Sequence, residues 1–136
     1  MAKRPRGSSR RRTGGNSARH FEELVGRALD AIPEPFARAL DEVAIVIDDE
    51  PSPVQRREAG LRPDEGLYGL YEGVPRNEYA ADWAFAPNKI TLFRIALIED
   101  FPDPAELELE VRLTVVHELA HHLGISDSRL HELGAD

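Results

Sequence analysis

His117, His121, His122 and His131 are four of only five histidines in this 136-residue chain, and the chain has no cysteine. His117 and His121 stand in the run HELAH. On a helix, positions four apart share one face a turn apart, so both imidazoles can aim at one point. Neutral imidazole is a good ligand for Zn²⁺, and two of them leave room for a third protein ligand and a water. Glu118 flanks the same face, where its carboxylate can accept a proton from that water. This is the physical content of the H-E-x-x-H pattern. With no thiolate available, any metal must be held by His, Asp or Glu. Chance places H-E-x-x-H in a chain of this composition roughly 2% of the time. Requiring Gly124 and Asp127 at their offsets lowers that to about one in ten thousand by the same counting, which makes the spacing informative.

The third ligand is less constrained by the sequence. Gly124 can leave the helix with positive φ and turn the chain back sharply. That brings Asp127, ten residues after His117, toward the metal. Asp127 is a competent oxygen ligand, but it is also a natural N-cap for a final helix. Ser126 can cap instead and release it, and His131 and Glu132 are the other candidates for the third position. His122 points about 100° away from His121, so it is expected to be a buried, hydrogen-bonded histidine that can orient a neighbour. For stabilising an oxyanion, Tyr68, Tyr71, Arg94 and His131 are the candidate donors.

These side chains need a scaffold. The segment DPAELELEVRLTVVHELAHHLG (residues 103–124) reads as one long helix, with Asp103 as N-cap, Pro104 in the first turn and Gly124 as the stop. Leu109, Leu113, Val116, Ala120 and Leu123 form one apolar stripe; Val111, Val115 and Leu119 form another. A helix apolar on two sides is expected to be buried. FEELVGRALD (residues 21–30) places Phe21, Leu24, Val25, Ala28 and Leu29 on one helical face, and residues 33–43 read as a second, short helix. Residues 43–48 (VAIVID) read as a buried strand, residues 66–73 (GLYGLYEG) as a second, and residues 89–98 as a third that turns irregular after Arg94. The intervening 49–66 reads as a Pro- and Gly-punctuated loop. Trp83 and Phe85 are expected to fold back on the core. SDSRLHELG gives a last short helix. The fold class is therefore α+β, about three strands packed on helices.

Composition sets the outer limits. At 41% hydrophobic and 31% charged residues, the chain fits one globular domain with one modest core. No run of eighteen apolar residues is present, so a membrane span is not expected. The basic N-terminus lacks an apolar h-region, which points to a cytoplasmic protein. Residues 1–20 hold seven Lys/Arg and no acid, leaving ten basic against 25 acidic residues beyond them, a net of −15. Residues 1–20 are expected to be a disordered, dispensable tail and residues 21–136 the domain. Nucleic acid could be contacted only through that tail, because the acidic body repels phosphate.

The block HELAHHLGISD resembles the extended zincin motif H-E-x-x-H-x-x-G-x-x-D. Together with FEELVGRALD, GLYGLYEGVPR and ITLFR, residues 21–134 resemble the minimal zincin family of small bacterial metallopeptidases. The resemblance implies a small sheet on helices with the motif helix at the centre. It also implies one zinc ion on His117, His121 and Asp127, with Glu118 as general base acting on a peptide or protein substrate. Larger metzincins carry His at the third position and a Met-turn below the metal; here the position is Asp and the single Met is Met1. The chain is therefore expected to lie outside the metzincins. The alternative expectation is a metal-holding interaction module without turnover. An extended peptide is expected to add to the 89–95 strand.

Overall fold

A computed structural model describes residues 2–4, 17–73 and 88–133. The elements in chain order are β1 (Ala2–Arg4), α1 (Ser17–Asp30), α2 (Phe36–Ala39) running into a 3₁₀ turn (Leu40–Glu42), and β2 (Ala44–Asp48). Then come α3 (Pro53–Glu58), β3 (Gly66–Glu72), β4 (Lys89–Phe93), α4 (Arg94–Asp100), α5 (Pro104–Leu123) and α6 (Asp127–Glu132). The class is α+β. Among the described residues the sheet has four strands in the order β1-β3-β4-β2. β3 pairs antiparallel with both β1 and β4, and β2 pairs parallel with β4.

α5 forms where the sequence predicts it. Asp103 caps it by accepting from the Glu106 N–H at 3.0 Å, and Pro104 occupies the first turn, where its missing N–H costs nothing. Val111, Val115 and Leu119 are fully buried in a core they share with Ile90, Leu92, Phe21 and Ala28. Each such aliphatic side chain contributes on the order of 1.5–3 kcal/mol by leaving water. The other stripe is only partly buried. Val116 and Ala120 are covered, whereas Leu109 is 42% exposed on a turn where Leu107 and Val111 are buried, so it lies on the opposite side of the helix. α5 meets β3 at Gly69, where a β-carbon would stand 2.7 Å from the Thr114 methyl. Glycine is what lets helix and strand approach this closely.

Several expectations are corrected by the structure. Residues 49–66 are not all loop: α3 starts at a capping box, with Ser52 and Gln55 exchanging side-chain-to-backbone bonds at 3.1 and 2.9 Å. The S-P-x-Q signal was present in the sequence, but the helix it opens is only six residues long. After β4 the chain does not become irregular; it turns directly into α4. β2 is not a buried strand but a half-buried one, because its only partner among the described strands is β4. β4 lies between β2 and β3, so its backbone is already paired on both sides and cannot take a peptide.

The largest correction concerns the N-terminus. Ala2–Arg4 is not disordered but forms β1, and residues 17–20 belong to α1. Backbone pairing to β3 and a buried ion pair of Arg4 supply what composition lacks. Residues 5–16, Trp83 and Phe85 lie outside the described residues. No helix among the described residues is long and apolar enough to cross a membrane.

Candidate metal centre

His117 and His121 stand one turn apart near the C-terminal end of α5, with ring centroids 5.4 Å apart. The helix then ends in a left-handed residue, Gly124 at φ 73°. The Gly124 N–H donates to the His121 carbonyl and the Ile125 N–H to the Ala120 carbonyl, at 3.0 and 2.8 Å. This paired closure is a Schellman motif, and it reverses the chain within two residues. Ser126 then caps α6 by accepting from the Arg129 N–H at 3.1 Å. The competition for the Asp127 carboxylate is thereby resolved: Ser126 does the capping, and Asp127 turns back toward α5. Its Oδ1 lies 3.8 Å from His117 Nε2.

One ligand atom each of His117, His121 and Asp127 lies within 4.8 Å of the others. Neither His131 nor Glu132 joins this group; both are exposed on α6, and Glu132 pairs with Arg129 at 3.0 Å. The donors suit zinc chemically: two imidazoles and a carboxylate, with no thiolate. Bonds of 2.0–2.1 Å in a tetrahedron give ligand separations of roughly 3.4 Å, so the three side chains need only a small closure around an ion. Burial holds the His121 pKa below its ordinary value, with the Glu118 carboxylate opposing that shift. The neutral, ligating form of this imidazole is the favoured one.

Glu118 is fully buried beneath the two histidines. Its Oε1 accepts the backbone N–H of Tyr71 on β3 at 2.8 Å. Its Oε2 stands 4.0 Å from His117 Nε2, and Oε1 stands 3.8 Å from His121 Nδ1. The carboxylate therefore faces the point on which the three ligand atoms converge. His122 is turned away from that point and is fully buried. Its Nε2 meets Glu42 Oε1 at 2.7 Å and its Nδ1 meets the Tyr71 hydroxyl at 3.1 Å. A carboxylate can only accept, so Nε2 carries the proton in that bond.

The residue types and spacing match a family. The pattern of the zincin-like metallopeptidases matches residues 40–135, more than half of the chain. The chain belongs to that family. Among solved structures it is similar to a conserved hypothetical protein from Thermus thermophilus, at 29% identity with a TM-score of 0.51. The match covers 88% of this chain and 99% of that one. No curated protein matches significantly. Against a zincin-like site, the donors suggested by sequence fare unevenly. Tyr68 gives its hydroxyl to Asp100 at 2.6 Å, and Arg94 is paired with Asp49 at 2.8 Å. The Tyr71 hydroxyl is engaged by Asn88 and His122. What Tyr71 brings to the site is its backbone N–H, which no reading of side-chain types could have found. Glu42 was also missed, since it lies 80 residues from His122 in sequence.

Proposed function

We propose that the chain is a zinc-dependent peptidase that hydrolyses a peptide bond at the point faced by His117, His121, Asp127 and Glu118. The observation that carries this reading is the buried Glu118 carboxylate, fixed by the Tyr71 N–H and aimed at the convergence of two imidazoles and an aspartate. His117, His121 and Asp127 would hold one Zn²⁺. When bound, the ion polarises the substrate carbonyl and acidifies a water. Glu118 Oε2 takes a proton from the attacking water and delivers it to the departing amine, so that amide and water become acid and amine. The Tyr71 N–H holds Oε1 and so keeps the carboxylate from turning away during both transfers. The Schellman turn at Gly124 and the Ser126 cap together fix where Asp127 stands.

Elemental analysis of the purified protein, beside His117→Ala and His121→Ala, tests the ligand set. One zinc per chain is expected for the native protein and none for either variant. Glu118→Gln is then expected to keep the metal and to lose hydrolysis of casein or a mixed peptide library by at least about a hundredfold. Unchanged zinc content in both His variants would remove the ligand assignment. Zinc-loaded protein that cuts nothing would instead favour a metal-holding interaction module.

A further inference from the structure

β1 is a strand that its own composition does not explain: Ala2, Lys3 and Arg4 offer one small and two charged side chains. Its place is held by a backbone ladder on the β3 edge, pairing Ala2 with Gly69, Lys3 with Leu67 and Arg4 with Gly66. It is held also by one side chain. Arg4 donates from Nε and a terminal nitrogen to the two oxygens of Asp100 at 2.7 and 2.6 Å, and to Glu99 at 3.3 Å. The Tyr68 hydroxyl donates to the same Asp100 from behind. The side chains of Arg4, Glu99 and Asp100 are each at most 10% exposed. Two carboxylates arranged for a planar fork suit a guanidinium and suit an ammonium poorly. A cleft of about 140 Å³, lined in part by Arg4, Arg56, Gly66 and Ala96, opens beside the seated side chain.

β3 continues past the end of β1. Two residues beyond Gly69 stands Tyr71, whose N–H holds Glu118. Because β1 is antiparallel to β3, its N-terminal end is directed toward that carboxylate. A sheet edge that supplies main-chain bonds, with a pocket for one side chain, is how extended peptides are captured. We propose that the β3 edge over residues 66–69, with Asp100, Glu99 and the Tyr68 hydroxyl behind it, is a seat for an extended arginine-bearing peptide, and that β1 fills it in cis. Its consequence for catalysis rests on the peptidase reading above: a peptide seated like β1 presents to Glu118 a bond on the N-terminal side of its arginine, and β1 must leave before it enters.

The test is a binding measurement on full-length Arg4→Ala protein, in which the guanidinium pocket is vacated. The probes are a fluorescent synthetic peptide copying residues 1–6 and a twin with alanine at its fourth position. The arginine peptide is expected to bind the Arg4→Ala protein saturably, at least tenfold tighter than its twin and tenfold tighter than it binds the native protein. Adding Asp100→Asn is expected to erase the preference. Equal binding of the two peptides, or none by a variant whose circular dichroism is native, overturns the proposal. If Arg4→Ala does not fold, amide exchange at Lys3 and Arg4 of the native protein decides. Excess arginine peptide should accelerate it and the twin should not; unchanged exchange overturns the seat. Neither readout needs turnover. Selective binding without hydrolysis of any peptide keeps the seat and removes the peptidase reading, whereas casein hydrolysis without selective binding removes the seat alone.

Discussion

The two hydrogen bonds of His122 separate support from chemistry at the scale of single residues. Its ring is buried, one nitrogen on Glu42 and the other on the Tyr71 hydroxyl. Replacing it by leucine removes both bonds from a fully buried position, a loss of about 1–3 kcal/mol that urea denaturation would register. Zinc content should be unchanged, because His122 points away from the ligand set. Tyr71→Phe makes a sharper distinction. The bond to Glu118 comes from the Tyr71 backbone, so the variant keeps it and loses only the hydroxyl contacts. We expect about 1 kcal/mol of lost stability and hydrolysis within about tenfold of native. A hundredfold loss would mean that the hydroxyl itself reaches the reacting atoms. The grouping of His117, His121 and Asp127 was legible in sequence because it is local to one helix and one turn. The bonds between His122 and Glu42 and between Arg4 and Asp100 were not, because they span 80 and 96 residues.

At the scale of elements, α5 carries the site and Gly69 sets how closely it meets the sheet. A methyl at that position would meet Thr114 Cγ2 at 2.7 Å and the Thr91 carbonyl at 3.3 Å. Neither the helix face nor the strand backbone can yield freely, so Gly69→Ala should cost about 1–3 kcal/mol. On the proposed peptidase reading it should also lower hydrolysis more than it lowers zinc content, since β3 holds Glu118 while α5 and α6 carry His117, His121 and Asp127. Glu110, on the same helix, shows the opposite kind of conflict. Burial, and secondarily the Glu106 charge, raise its pKa above the ordinary carboxylate value. A carboxyl with a raised folded pKa stabilises the fold in acid and loses that contribution as pH rises through the folded value. Glu110→Gln should therefore raise the melting temperature slightly at pH 7, and the gain should vanish at pH 3. Long periodic elements such as α1 and α5 were readable because their signal is repeated over several turns. α3 and α4, at six and seven residues, were not, because so short a window carries too few periods to separate helix from loop.

Across the whole molecule, the opposite charges of the N-terminal segment and the acidic body suggest loose electrostatic attraction, and the sequence alone supports nothing more definite. The structure replaces that picture, at β1, with a buried ion cluster around Arg4 and a more exposed ion pair of Lys3, and the two predict different behaviour. Lys3 meets Glu65 at 3.0 Å with its side chain 42% exposed. Such a pair is worth at most about 1 kcal/mol and is screened by salt. Arg4 is buried in a bidentate pair with Asp100, and that hydrogen bond also raises the guanidinium pKa. Removing its side chain strands two buried carboxylates, with a cost of about 3–5 kcal/mol. Thermal melts should therefore show Lys3→Ala close to native, with its small deficit disappearing at 0.5 M NaCl. Arg4→Ala should melt more than about 10 °C lower, with little relief from salt. Deleting residues 1–16 should reproduce the Arg4→Ala deficit and add the loss of the β1 ladder. If that deletion instead melts with the native protein, β1 contributes nothing to the fold, and the N-terminus is the dispensable tail that its composition describes.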